Sequence, residues 1–310
     1  MDSSCCSCKL TPRAAAYSFL FDAVDSIKNH AYVLAGWGYI GSMDQHAHPE
    51  HEGMLRNYTF NDVLMEGHGV YTGVLQALLS VEPGGGASVM SADGAVTDVT
   101  FRRVTVRNWV AYDMPAVGFL STLDRPMTLS IDTFAIENCR GVAGSPAEYN
   151  GYVLILGSGL GETDIVYLSV EQSGSHSEDT NALGTVIFQG IGTSTLSPGE
   201  SHFRFMLSTF IGNRAAVGGA LYVTDPLGDV RLCSFIENIA YIKGGAICFE
   251  GAREMTIDSS WFFNNAVMPA ASSSGLNYAL TIFTGGSASV APIVSCNRSF
   301  AAYMYAKPSC

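Results

Sequence analysis

Hydrophobic and polar positions along this chain alternate in short bursts, each closed by Asn, Gly or a Ser/Thr-rich stretch. Val99-Thr-Phe-Arg-Arg-Val-Thr-Val-Arg107 and Leu129-Ser-Ile-Asp-Thr-Phe-Ala-Ile-Glu137 are examples, each followed by Asn. Alternation with β-branched and aromatic residues predicts strands, because successive side chains leave a strand on opposite faces. On that pattern Arg231, Cys233 and Phe235 share one face, and Leu232, Ser234 and Ile236 share the other. One stretch reads differently. Residues 14–28, from Ala14 to Lys28, are predicted as an amphipathic helix that covers the open end of whatever the strands build.

Two signatures recur in a fixed order between 205 and 265. Phe210-Ile-Gly-Asn213 precedes Val217-Gly-Gly-Ala-Leu-Tyr-Val223, Phe235-Ile-Glu-Asn238 precedes Lys243-Gly-Gly-Ala-Ile-Cys-Phe249, and Phe262-Phe-Asn-Asn265 follows. Asn213 to Asn238 is 25 residues and Asn238 to Asn265 is 27. A period in this range means a repeat architecture. The runs are too short for crossover helices, so each repeat is read as one coil of a parallel β-helix. The predicted fold is therefore all-β: a single-stranded right-handed parallel β-helix over 31–297. A mobile N-terminus with the capping helix occupies 1–30, and a tail occupies 298–310. Asn tolerates a left-handed backbone and bonds neighbouring backbone groups, so Asn138, Asn213, Asn238 and Asn265 are expected to stack as a structural amide ladder. From Asn138 to Asn213 is 75 residues, which this reading counts as three periods of 25. The Gly-Gly pairs mark turns with positive φ or close coil packing, since no Lys-Ser/Thr follows them as a phosphate loop requires.

Phe-x-x-Asn at 210–213, 235–238 and 262–265, with Gly-Gly-Ala-Leu/Ile at 218–221 and 244–247, resembles the repeats of the chlamydial polymorphic membrane proteins and related right-handed β-helix surface proteins. The resemblance covers about 60 residues. It implies an extracellular passenger with adhesive roles, although no outer-membrane barrel of long alternating strands follows the repeats.

Composition narrows the function classes. Only 14% of the residues are charged and the net charge is −12. That disfavours nucleic acid and anionic membrane surfaces as partners. No run reaches the roughly 20 apolar residues of a spanning helix. Eight cysteines and two sequons, Asn57-Tyr-Thr59 and Asn297-Arg-Ser299, point to a secreted, oxidising setting with possible glycosylation at Asn57 and Asn297. The end of the chain carries no obvious amphipathic cap, so Cys310 or a neighbouring protein is expected to close the stack, or the chain continues in a longer protein.

Candidate chemistry is sparse. His46, His48 and His51 with nearby Glu50 and Glu52 form a weak metal-ligand set, but Pro49 reads as a solvated loop. Gly67-His68-Gly69 is similar to the catalytic-histidine turn of polygalacturonases, without the paired aspartates or the Arg-Ile-Lys segment of that family. Asp132, Glu137, Arg231 and Glu237 are candidate pieces of a carbohydrate-active site, and Arg102, Arg103 and Arg107 show no acids at matching positions. No cofactor motif is present. The expected function is non-catalytic, in adhesion, glycan binding or assembly at a cell surface. A polysaccharide lyase or glycoside hydrolase is the alternative. Exposed aromatics on a sheet face, Tyr222 among them if it points outward, would favour glycan binding.

Overall fold

The computed structural model describes residues 16–22, 25–27, 35–40, 55–66, 73–79, 96–108, 110–112, 117–121, 127–142, 154–157, 160–175, 184–189, 202–224, 227–250, 254–268, 282–285, 293–297 and 300–302. Among these residues the chain is all-β, with strands in three sheets of fourteen, six and eight strands, and every strand pairing is parallel.

The chain visits the three sheets in one repeating order. After Val96–Arg107 in the fourteen-stranded sheet it enters Val110–Tyr112 in the six-stranded sheet and Val117–Ser121 in the eight-stranded sheet, then returns to the first sheet as Met127–Glu137. The same circuit is completed through Arg140–Val142 and Leu154–Gly157, and again from Leu160–Glu171. Strands inside each sheet pair with their counterparts one circuit earlier and one circuit later, as Phe235 does with Phe210 and Phe262. Short parallel strands buried on their inner face require such non-local pairing, because a tight hairpin joins only antiparallel strands.

The core lies inside the three sheets. Phe60, Phe101, Phe203, Phe205, Phe210 and Phe235 are fully buried. Phe210, Phe235 and Phe262 stack face to face at centroid distances of 4.8 Å, close to the separation of neighbouring strands. Gly218-Gly219 and Gly244-Gly245 mark close packing between circuits. Gly218 and Gly244 take φ of 62° and 67°, and a Cβ on Gly219 would overlap the carbonyl oxygen of Gly245.

Four expectations are corrected. The described residues of the stretch expected to be helical are strands, Ala16–Asp22 and Asp25–Ile27, paired with Leu55–Glu66 of the fourteen-stranded sheet. Tyr17, Phe19 and Phe21 alternate with Ser18, Leu20 and Asp22, and an open sheet edge offers that period-two pattern a hydrogen-bond ladder that a helix could not use. The alternation around 231–236 is also broken. Leu232 is left-handed with φ 55°, so Arg231 and Leu232 both face outward and only Cys233 and Phe235 turn inward. Asn138 stands one place outside the column of Asn213, and two circuits rather than three separate them. Cys139 bonds to Ser173, 34 residues on, and Ser173 to Asn213, 40 residues on. Finally, Arg103 and Arg107 do have acids at matching positions, Asp62 and Glu66.

Candidate functional site

Each circuit of the fourteen-stranded sheet bends twice, and a left-handed residue stands at each bend. Asp62, Arg103, Thr133, Tyr167, Leu207, Leu232 and then Ser259 form the first column, with φ between 50° and 63°. Asn108, Asn138, Gln172, Gly212, Glu237 and Asn264 form the second. The described residues that follow the bends point inward, and Ser173, Ser208, Asn213, Asn238, Ser260 and Asn265 among them accept from the backbone of the circuit before.

At the second bend the inward residues are Cys139, Ser173, Asn213, Asn238 and Asn265. Asn213 N donates to Asn238 Oδ1 at 3.1 Å, and Asn238 N to Asn265 Oδ1 at 3.0 Å. The amide nitrogens donate onward, from Asn213 to Val170 O at 2.8 Å and from Asn238 to Phe210 O at 2.9 Å. The first bend uses smaller groups in the same role: Leu168 N donates to Ser208 Oγ and Cys233 N to Ser260 Oγ, both at 3.2 Å. These inward columns are structural, since their polar atoms are spent on buried backbone groups. Asn138 lies on the exposed side, where its Nδ2 donates to Asn108 Oδ1 at 2.9 Å.

Cys139, Cys233 and Cys248 are buried free thiols. Burial pushes the Cys233 thiol up to about 12, and hydrogen bonding with Ser208 and Arg231 acts in the opposite direction. Burial, and after it the charge of Glu250, pushes Cys248 up to about 12. Neither is a nucleophile at neutral pH.

The outer face of the fourteen-stranded sheet divides into two zones. One is ionic. Arg204 Nη1 donates to Asp164 Oδ1 at 2.8 Å, Arg231 Nη2 to Asp229 Oδ2 at 2.9 Å, and His202 Nε2 lies 3.8 Å from Asp229 Oδ2. Toward the earlier circuits, Arg103 binds both oxygens of Asp62 at 2.5 and 2.7 Å, which holds the Asp62 carboxyl below its usual value. Arg107 reaches Glu66 at 3.0 Å.

The other zone carries a single carboxylate, Glu171, at its edge. Ser169, Thr209, Ser234 and Trp261 are successive register partners and form a straight row across four strands. Tyr167, Leu207 and Leu232 run beside the row on the bend, 52%, 38% and 52% exposed, and Trp261 within the row is 52% exposed. Ile211, Ile236 and Phe263, aligned with one another, run along its other side. A row of hydroxyls therefore lies between two largely apolar rails and leads to an indole ring, after which Phe300 continues the register.

The proposed sugar-site residues are dispersed. Asp132 and Glu137 lie on the sheet's outer side one circuit before Glu171, and Glu237 stands at the second bend three circuits after Glu137. Only Arg231, among those candidates, joins the ionic cluster. Tyr222 is 6% exposed with its hydroxyl donated to Glu250 at 3.0 Å, so it offers no stacking face. Asn57 lies within Leu55–Glu66, and Asn297 ends Ile293–Asn297. His46, His48, His51 and His68 lie outside the described residues, as do Cys5, Cys6, Cys8 and Cys310. Among the described residues no group of three or more His, Cys, Asp or Glu side chains could hold a metal ion, and no helix is long and apolar enough to cross a membrane. No protein family, curated protein or solved structure matches the chain.

The sequence hid both zones. Tyr167 and Leu207 belong to neighbouring circuits but stand 40 residues apart, as their inward neighbours Leu168 and Ser208 record, whereas the next circuit takes 25. A non-Asn, non-Gly residue at the bend gives no turn signal to align on.

Proposed function

We propose that the chain is a right-handed parallel β-helix of an extracellular or cell-surface protein, and that it acts without catalysis, in adhesion through glycan binding on the outer face of its longest sheet. The repeating circuit through three parallel sheets supports the helix, and right-handed crossovers between parallel strands are nearly universal. The resemblance of the Phe-x-x-Asn and Gly-Gly-Ala-Leu/Ile repeats to the chlamydial polymorphic membrane proteins supports the surface setting.

The observation that carries the binding reading is the exposure of Tyr167, Leu207, Leu232 and Trp261 beside one another on a single face. An exposed contiguous apolar strip rimmed by polar residues marks an interaction surface. A lyase or hydrolase remains the second reading, because Asp164, His202, Arg204 and Asp229 gather beside that strip. A general acid or base needs a carboxyl or imidazole freed for proton transfer. Asp164 and Asp229 are instead engaged by arginines.

The test is retention of the purified protein on fixed cells and immobilised glycans, with new reducing ends and unsaturated products read in parallel. Retention without turnover is expected. Turnover would replace this reading with the enzymatic one, and no retention on any surface would remove adhesion.

A further inference from the structure

We infer that the ligand is a neutral, β-linked hexopyranose chain lying along the row Ser169, Thr209, Ser234 and Trp261. This rests on the glycan-binding reading above and names the substrate class and the residues that select it.

The first support is a choice of residue that the fold does not require. Every circuit needs a left-handed residue at the first bend, and Asn, Asp or Gly meets that need at lowest cost. Tyr167, Leu207 and Leu232 occupy it in three successive circuits with bulky side chains turned to solvent. Each carries backbone strain and exposes apolar surface, so packing does not explain the choice. Strain of this kind is concentrated at functional sites.

The second support is the shape and chemistry of the row. Tyr167 and Trp261 stand three strand spacings apart, about 14 Å. Between them Thr209 and Ser234 present hydroxyls that hold no hydrogen bond among the described residues, while Ser169 donates to Glu171 at 2.8 Å. A pyranose ring has an apolar face that rests on an aromatic ring and an equatorial rim of hydroxyls that bonds polar groups. One aromatic ring beside the row at Tyr167 and another on it at Trp261, with hydroxyls between them, match that pattern repeated along a flat chain.

Charge selects the class. The row itself carries no ionisable group, its rails carry only the carboxyl of Glu171, and the nearest arginines, Arg204 and Arg231, are held by Asp164 and Asp229. Glu171 closes the rail of Ile211 and Ile236, Glu237 is exposed at the next bend, and the whole chain bears −12. A uronate or sulfated chain would meet like charge here without a free cation.

The experiment is calorimetric titration of the intact protein with hexamers of β-1,4-linked glucose and of N-acetylglucosamine, and with hexagalacturonate as the anionic probe. At least one neutral hexamer should bind and hexagalacturonate should not. Trp261→Ala and Tyr167→Ala should each weaken binding by about tenfold. Thr209→Val should weaken it without changing the side-chain shape, and Ser130→Ala, elsewhere on the outer face, should leave it unchanged. Melting temperatures of all four variants should match the parent. Unchanged affinity in both aromatic variants, preference for hexagalacturonate, or no binding of either neutral hexamer would overturn the assignment. If the protein is still retained on cells in that event, adhesion stands and only this ligand falls. If nothing is retained, both readings fall together.

Discussion

The side chain of Asn238 serves four partners at once. It accepts from the backbone N and the Nδ2 of Asn213 at 3.1 and 3.0 Å, and donates to Phe210 O and Asn265 Oδ1, each at 2.9 Å. Asn238→Ala leaves several of these groups buried and unpaired, so a loss of about 3–5 kcal/mol is expected in chemical denaturation. Asn138→Ala, on the exposed side, should cost about 1 kcal/mol or less. Equal losses would mean that the two asparagines share one column after all. The thiols give a pH signature. Cys233 and Cys248 sit at about 12 when folded against an ordinary 9.0. Below pH 9 both states keep the proton and stability does not depend on it. Between pH 9 and 12 the unfolded chain releases protons that the folded chain holds, so stability falls as pH rises, by about 1.4 kcal/mol per pH unit for each thiol. Denaturation of Cys233→Ser and Cys248→Ala measured from pH 8 to 11 should show shallower slopes than the parent. The legible residues were those whose type the geometry forces. Asn213, Asn238 and Asn265 announce themselves, while Ser208, Cys233 and Ser260 do a related job with side chains that carry no turn signal.

Strands in this protein are defined by what lies above and below them, and two substitutions separate the contributions. Phe235 is stacked between Phe210 and Phe262, with rings within 4° of parallel. Phe235→Ala should cost about 3–5 kcal/mol by thermal or chemical unfolding. Gly219→Ala places a methyl against the Gly245 carbonyl, and either the circuit shifts or the bond from Gly219 N to Gly244 O, 3.0 Å, is lost. A loss of about 1–3 kcal/mol is expected. No loss would mean that neighbouring circuits are not in close contact there. Period-two patterning made most of these strands readable, and Phe-x-x-Asn and Gly-Gly placed their ends. The N-terminal strand Ala16–Asp22 escaped because Ala14-Ala15-Ala16 and the acids at 22 and 25 imitate a helical face. What decides between the two readings is the edge of Leu55–Glu66, which lies 39 residues away in the register Ala16↔Leu55 and is invisible locally.

At the scale of the molecule, contacts run between neighbouring circuits and hardly beyond, so a local lesion should stay local. Hydrogen exchange after Phe235→Ala should quicken in the strands around 210, 235 and 262 and leave those around 60 and 101 protected. Uniform loss of protection would mean that the whole stack opens as one unit. Circuit length is where the sequence misled. Equivalent bend positions are separated by 30, 34, 40, 25 and 27 residues, so a fixed count of 25 works only at the end of the series. The surplus lies between the strands, where length is free, while the columns keep register. That separation turns the chain into a ruler with removable divisions. Excising residues 213–237 joins Gly212 to Asn238, brings Asn238 beneath Ser173, and brings Tyr167 and Trp261 closer by one strand spacing, about 4.8 Å. A polymer read along that edge would then be measured one notch short.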